Sequence, residues 1–188
     1  AHALFAIDLR SLALFRIAIA LLLLIDLASR LWLLSANYTD AGALPRATSL
    51  LTHARDGLPS LYMLGGSTRF ALALFLVAAL AAVLLGIGWR TRIATVISWL
   101  LLDSLHSRHL LLLDGGDYLL RCLLFWGIFL PLGARGSLDA RRLGPPRSAF
   151  VFSPASAALL LQVGCMFLVT GLTKTGPEWM DGTAIQYA

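Results

Sequence analysis

Phe70-Ala-Leu-Ala-Leu-Phe-Leu-Val-Ala-Ala-Leu-Ala-Ala-Val-Leu-Leu-Gly-Ile87 runs without one charged or hydrogen-bonding side chain. A helix of roughly 20 apolar residues crosses a hydrocarbon core about 30 Å thick, so this stretch, extended to 68–88, reads as a membrane span. Four further candidates lie around it: 11–34, most apolar from Ile17 to Ile25, then Arg92 to Leu105, Tyr118 to Leu132 and Pro154 to Leu172. The expected fold is all-α, a polytopic helical membrane protein with about five transmembrane helices and short interfacial helices in its outer loops. The third and fourth spans are short, so their ends should lie among polar groups at the membrane surface.

Composition agrees. Of the 188 residues, 13% are charged and 59% hydrophobic, against about 25% and about 45–50% in ordinary globular chains. The mean hydropathy is +0.80. A soluble fold of this composition would expose large apolar patches. The net charge of +5 does not indicate nucleic acid as a partner. A nucleic-acid footprint clusters its basic residues on one face, whereas these sit in short groups between apolar runs. The expected partner is the lipid bilayer. Cys122 and Cys165 lie in separate apolar runs with no metal-ligand spacing, so neither a metal centre nor a disulfide scaffold is expected. Arg10 and Arg16 precede a run with no small-residue cleavage site, which favours an uncleaved first span over a signal peptide.

Short basic loops stay cytoplasmic. Gly88-Trp89-Arg90-Thr91-Arg92 is basic, and loop 4–5 holds Arg135, Arg141, Arg142 and Arg147 against Asp139. With Arg10 and Arg16, these regions place the N-terminus in the cytoplasm of a bacterial inner membrane. Loops 1–2 and 3–4 and the tail after Leu172 then face outward. Loop 1–2 is broken by Gly42, Pro45, Gly57, Pro59, Gly65 and Gly66, with short helices expected at Ala47 to Arg55 and Leu58 to Leu64. Gly144-Pro145-Pro146 marks a break before the fifth span.

Ionisable groups in or beside spans are functional candidates by default. Asp26 and Arg30, and Asp117 and Arg121, are each spaced to neutralise one another on one helix face. The outer polar cluster is expected to contain Asp103, His106, Arg108, Asp117, Arg121, Glu178, Trp179 and Asp181, with His109 beside it. A histidine here can relay a proton near neutral pH, although such residues are more often simple hydrogen-bonding groups. Of the 15 basic residues, Lys174 alone is lysine. Unlike arginine, lysine can lose its proton when desolvated, so Lys174 is either a candidate base or a side chain that snorkels to the headgroups.

Tyr38-Thr39-Asp40-Ala41-Gly42-Ala43-Leu44-Pro45-Arg46, Gly88-Trp89-Arg90-Thr91-Arg92, Gly116-Asp117 with Arg121, Phe129-Leu130-Pro131-Leu132-Gly133, and Gly171-Leu172-Thr173-Lys174 with Trp179 and Gly182 together resemble the HTTM (horizontally transferred transmembrane) domain family. That family is related to the vitamin K-dependent gamma-glutamyl carboxylases. The resemblance implies one transmembrane domain over 1–188, cut short at either end, since family members usually continue past the lysine motif. It also implies that Lys174 matches the lysine regarded as the base that deprotonates vitamin K hydroquinone. His109, after Arg108, matches a histidine of that centre. Thr173 stands where the carboxylases have a second lysine, and there is no room here for their lumenal portion. One relative acts in maturation of a secreted sporulation-delaying toxin.

Two functions follow as expectations. The first is an accessory subunit or maturation partner of a larger membrane assembly, such as an electron-transfer or photosynthetic complex. The second is a membrane enzyme resembling the carboxylases, with Lys174 as base, His109 as proton partner and a membrane quinol as the cofactor or substrate. Other membrane proteins, a quinone or a secreted peptide are the corresponding partners.

Overall fold

The computed structural model describes residues 5–53, 60–144 and 148–183. A two-residue strand β1 (Ile7–Asp8) leads into α1 (Leu9–Leu31), followed by α2 (Leu34–Tyr38), α3 (Arg46–His53) and a 3-10 turn at Leu61–Met63. Then come α4 (Thr68–Ile87), α5 (Thr91–Arg108), a second 3-10 turn (Leu110–Leu112), α6 (Gly115–Gly127) and α7 (Leu138–Leu143). Strand β2 (Phe150–Val151), α8 (Pro154–Thr173) and α9 (Pro177–Met180) complete the described chain. The expected helices at Ala47 to Arg55 and Leu58 to Leu64 are met by α3 and the first 3-10 turn, while residues 54–59 lie outside the described residues. So do residues 145–147 of the Gly-Pro-Pro break and residues 184–188.

This is an all-α membrane protein. Among the described residues, three helices, α1, α4 and α8, are long and apolar enough to cross a bilayer. The other two expected spans are helices, but the count of five is not confirmed. At 13 residues, α6 extends only about 20 Å. Helix α5 carries Arg92, Asp103 and Arg108 and buries Thr91, Thr95, Ser98, Asp103, Ser104 and His106. Its polar face explains why it packs inside the bundle: α1 lies on α4, α4 on α5, α5 on α6, and α6 touches α8.

The core has two halves. Leu12, Ile19, Leu85, Leu124, Leu132 and Leu159 fill the end where α1 begins. At the other end Leu27, Leu101 and Leu105 surround Tyr38, Tyr62 and Phe75, whose ring centroids lie 5.6–6.1 Å apart. Leu14, Ile25, Leu76 and Leu80 point outward, as suits side chains facing lipid tails.

The first end is held by a buried arginine. Arg16 is 0% exposed, and its guanidinium donates to the carbonyls of Leu132 at 3.1 Å and Gly136 at 2.6 Å. Gly88 ends α4 in the left-handed region (φ 72°), and a Cβ there would collide with Ser137 and Arg16. Helix α5 starts three residues on, at Thr91, without a capping side chain of its own. Asp139 of α7 supplies the cap, accepting from the Arg90 N–H at 2.9 Å, the Thr91 N–H at 2.7 Å and the Thr91 hydroxyl at 2.6 Å. The loops that the charge rule groups on one side thus meet at one end of the bundle. Strand β1 pairs antiparallel with β2, Ile7 opposite Val151, and the Ser156 hydroxyl donates to the Phe5 carbonyl at 3.0 Å, which brings the start of α8 to the same end.

Partial burial alone would raise the Asp139 carboxyl, but hydrogen bonds from Thr91 and Arg90 hold it below the usual carboxylate range. Its contribution is therefore fully present above the unfolded value of about 3.9 and fades as pH falls through the lower folded value. Asp139→Ala should destabilise the detergent-solubilised protein by about 1–2 kcal/mol. Thermal melts from pH 7 downward should show the gap between wild type and variant holding to about pH 4 and narrowing below it.

Candidate functional site: a buried carboxylate, histidine and arginine cluster

At the opposite end, Arg30 in the last turn of α1 reaches three partners. Its Nε donates to Asp26 Oδ1 at 2.7 Å, its Nη2 to Asp117 Oδ1 at 2.6 Å and its Nη1 to the Tyr38 hydroxyl at 3.2 Å. The first bond is the i,i+4 pair expected from spacing. The second joins α1 to α6, and the third ties in the chain after α1. Burial pushes the Tyr38 phenol above its ordinary value, so it remains a neutral hydroxyl.

Asp117 does not pair with Arg121, the partner that spacing suggested. It sits at the third position of α6, where its carboxylate accepts from the Asp114 N–H while the Asp114 carboxylate accepts from the Asp117 N–H. This capping box turns Asp117 toward the start of the helix and toward Arg30. Arg121, one turn further on, faces α5 and donates to Asp103 Oδ1 at 3.0 Å. Two helix-local pairs are thereby replaced by one local and two cross-helix pairs, which neutralise charge and join elements together.

His106 completes the cluster. Its side chain is 0% exposed, and neither ring nitrogen has a hydrogen-bond partner. Nε2 lies 3.6 Å from Asp117 Oδ1, beyond hydrogen-bond range. One ligand atom from each of Asp26, His106 and Asp117 falls within 4.8 Å of the others, a grouping that could hold a metal ion and that Cys/His spacing alone did not reveal. An open cleft of about 400 Å³ between α1 and α6 reaches Asp26, Asp114 and Asp117 past Leu22, Ile25, Leu120 and Leu123. Its lining combines leucine and isoleucine side chains with three aspartates.

The remaining expected residues lie elsewhere. Arg108 is 0% exposed and donates to the Leu44 carbonyl at 2.6 Å, leaving Nε and Nη1 without partners. His109 is buried at the C-cap of α5, three residues after His106. Lys174 caps the far end of α8 and is exposed, with Nζ 4.3 Å from the centre of the Trp179 ring. Glu178 and Asp181 are exposed on and after α9. Among the described residues, no hydrogen bond or ion pair joins this Lys174 group to the cluster. Sequence reasoning left Asp26, Arg30 and Tyr38 out of the site. Their visible signal was an ion pair inside the first apolar run, read as self-contained.

A double-mutant cycle on Asp103 and Arg121 should show coupling of about 1 kcal/mol, whereas a cycle on Asp117 and Arg121 should show almost none. Arg30→Met, which leaves two carboxylates facing each other in a dry site, should cost about 3–5 kcal/mol. Detergent melts of the single and double variants measure each value.

The model of the HTTM domain matches residues 5–188. The uncharacterized protein YitO of Bacillus subtilis (strain 168) is 30% identical over 139 residues, covering 68% of this chain and 43% of that relative. The chain thus spans less than half the length of the curated relative it matches. No solved structure matches it. The motifs from Tyr38 to Gly133 meet at the two arginine-held ends of one helical bundle, and the family match runs from the first described residue to the last in the sequence: the chain belongs to the HTTM domain family.

Proposed function

We propose that the chain forms the membrane core of an enzyme that moves a proton on a lipid-soluble substrate, in the manner of the related vitamin K-dependent carboxylases. The observation that carries this reading is His106: a fully buried imidazole with both nitrogens unpartnered, next to Asp117, a residue that lines a largely apolar cleft. A buried polar group left unsatisfied costs free energy, and ionisable groups at membrane depth mark substrate or proton pathways. The apolar cleft walls suit a hydrocarbon tail, and the acidic floor suits hydroxyls that donate, as those of a quinol do. Lys174 is the base in this reading, at the end of α8, with Nζ 4.3 Å from the centre of the Trp179 ring. His109 is the expected proton partner, and in this reading His106, 3.6 Å from Asp117 Oδ1, shares that role.

The second reading is an accessory subunit or maturation partner in a larger assembly, such as an electron-transfer or photosynthetic complex of a bacterial inner membrane. One observation favours it. Helix α8 buries only Ala155, Ser156 and Leu159, while Phe167, Leu168, Val169 and Leu172 are exposed along its later turns, a face that a companion helix would cover.

Gentle purification from native membranes, with mass spectrometry of both proteins and organic extract, separates the two. The enzyme reading expects a quinone or another isoprenoid in near-stoichiometric amount, lost in His106→Ala and retained in Lys174→Arg. Turnover of that compound should vanish in Lys174→Arg, because arginine does not deprotonate at accessible pH. A stoichiometric set of larger membrane proteins, no lipid-soluble compound and full function of Lys174→Arg would establish the subunit reading instead.

A further inference from the structure

We infer that Asp26, His106 and Asp117 bind one divalent first-row transition-metal ion, with Arg30 as the outer residue that orients both carboxylates. The inference concerns the same cluster as the proposed function but rests on the geometry, hydrogen bonding and charge of the cluster alone. Three observations support it. The three ligand atoms lie within 4.8 Å of one another. Ligands around a four-coordinate ion, at bonds of about 2.0–2.2 Å, sit roughly 3.3–3.6 Å apart, so a rotamer adjustment of about 1 Å brings them into register.

The second observation is the state of the ligand atoms. His106 is completely enclosed, and its nitrogens meet no hydrogen-bond partner. Asp26 Oδ2 is likewise buried and free, because Arg30 engages only Oδ1. Unsatisfied buried polar groups in a native fold call for an explanation, and an ion is one of the few available. The third is charge. Asp26 and Asp117 set two carboxyl groups against the one guanidinium of Arg30, while Asp103 is already matched by Arg121. An uncompensated charge in a low-dielectric site is strongly disfavoured, and a bound cation would balance the second carboxyl.

One imidazole with two carboxylates is a donor set for zinc, manganese or iron(II), harder than a thiolate site and softer than the all-oxygen cages that calcium prefers. Arg30 fits the outer shell, where partners of ligating carboxylates fix their orientation. Three protein ligands leave a fourth position open, and the cleft that reaches Asp26 and Asp117 gives a ligand from the lipid side access to it.

The test is elemental analysis of wild-type protein purified in detergent at neutral pH without chelator. Cobalt(II) titration then follows on protein stripped of its metal. The expected result is close to one equivalent of a single transition metal per chain, together with visible cobalt d–d bands that saturate at one equivalent. His106→Ala should weaken cobalt binding at least tenfold, and Arg141→Ala, at the opposite end of the bundle, should leave it unchanged. Folded, monodisperse wild type holding under a tenth of an equivalent and giving no cobalt bands overturns the inference, with a proton on the cluster then balancing its charge. This wild-type measurement decides even where a variant fails to fold. Bound isoprenoid without metal sinks this inference alone, and metal without isoprenoid sinks only the substrate reading above.

Discussion

Burying a guanidinium among apolar helices is costly unless hydrogen bonds meet its charge, and α1 carries two arginines that are met in this way, one toward each end. Arg16 meets the carbonyls of the turn after α6. Arg30 meets Asp26, Asp117 and Tyr38. Because the acceptors come from distant parts of the chain, satisfying the two arginines also specifies which elements lie beside α1. Apolar packing between α1 and α4 is strong but not directional. The arginine contacts choose the register, since a shift of one helical residue would strand a charge in a medium that cannot solvate it.

The same constraint gives the family motifs a physical meaning. Gly88 is the position where a side chain would strike Arg16 and Ser137, and Arg90 and Thr91 present the N–H groups that Asp139 caps. Leu132 of the Phe-Leu-Pro-Leu-Gly turn offers a carbonyl to Arg16. Tyr38 and Asp117 are partners of Arg30, and Asp40 pairs with Arg46 at 2.7 Å. These motifs belong to the scaffold that encloses the cluster. The Gly-Leu-Thr-Lys motif is different, since its described contacts are with its own backbone and with Trp179.

Helix positions were largely legible in the sequence because each long apolar run has one favourable conformation in lipid, with every backbone group bonded internally. The run at 68–88 became α4 and that at 154–172 became α8, both within a residue. The short spans were less legible. Helix α6 ends at Gly127 rather than near Leu132, since Pro131 and the carbonyls around it turn back to receive Arg16. The small β1–β2 pairing joins residues far apart in the chain, and no local pattern announces a ladder of two residues.

The candidate site divides along the same line. Composition and hydropathy alone determined that the chain lives in a bilayer, and that Asp26, Asp103, His106, Asp117 and Arg121 sit where charge is costly. The partners of those groups were decided by tertiary structure. Spacing along one helix suggested that Asp117 would meet Arg121, but the capping box with Asp114 and the reach of Arg30 from another helix redirected both residues. A sequence records how far apart two charges are along one helix. Which helix stands opposite depends on the packing of the whole bundle, and in a low-dielectric interior the nearest opposite charge across a helix interface competes on equal terms with the one four residues away.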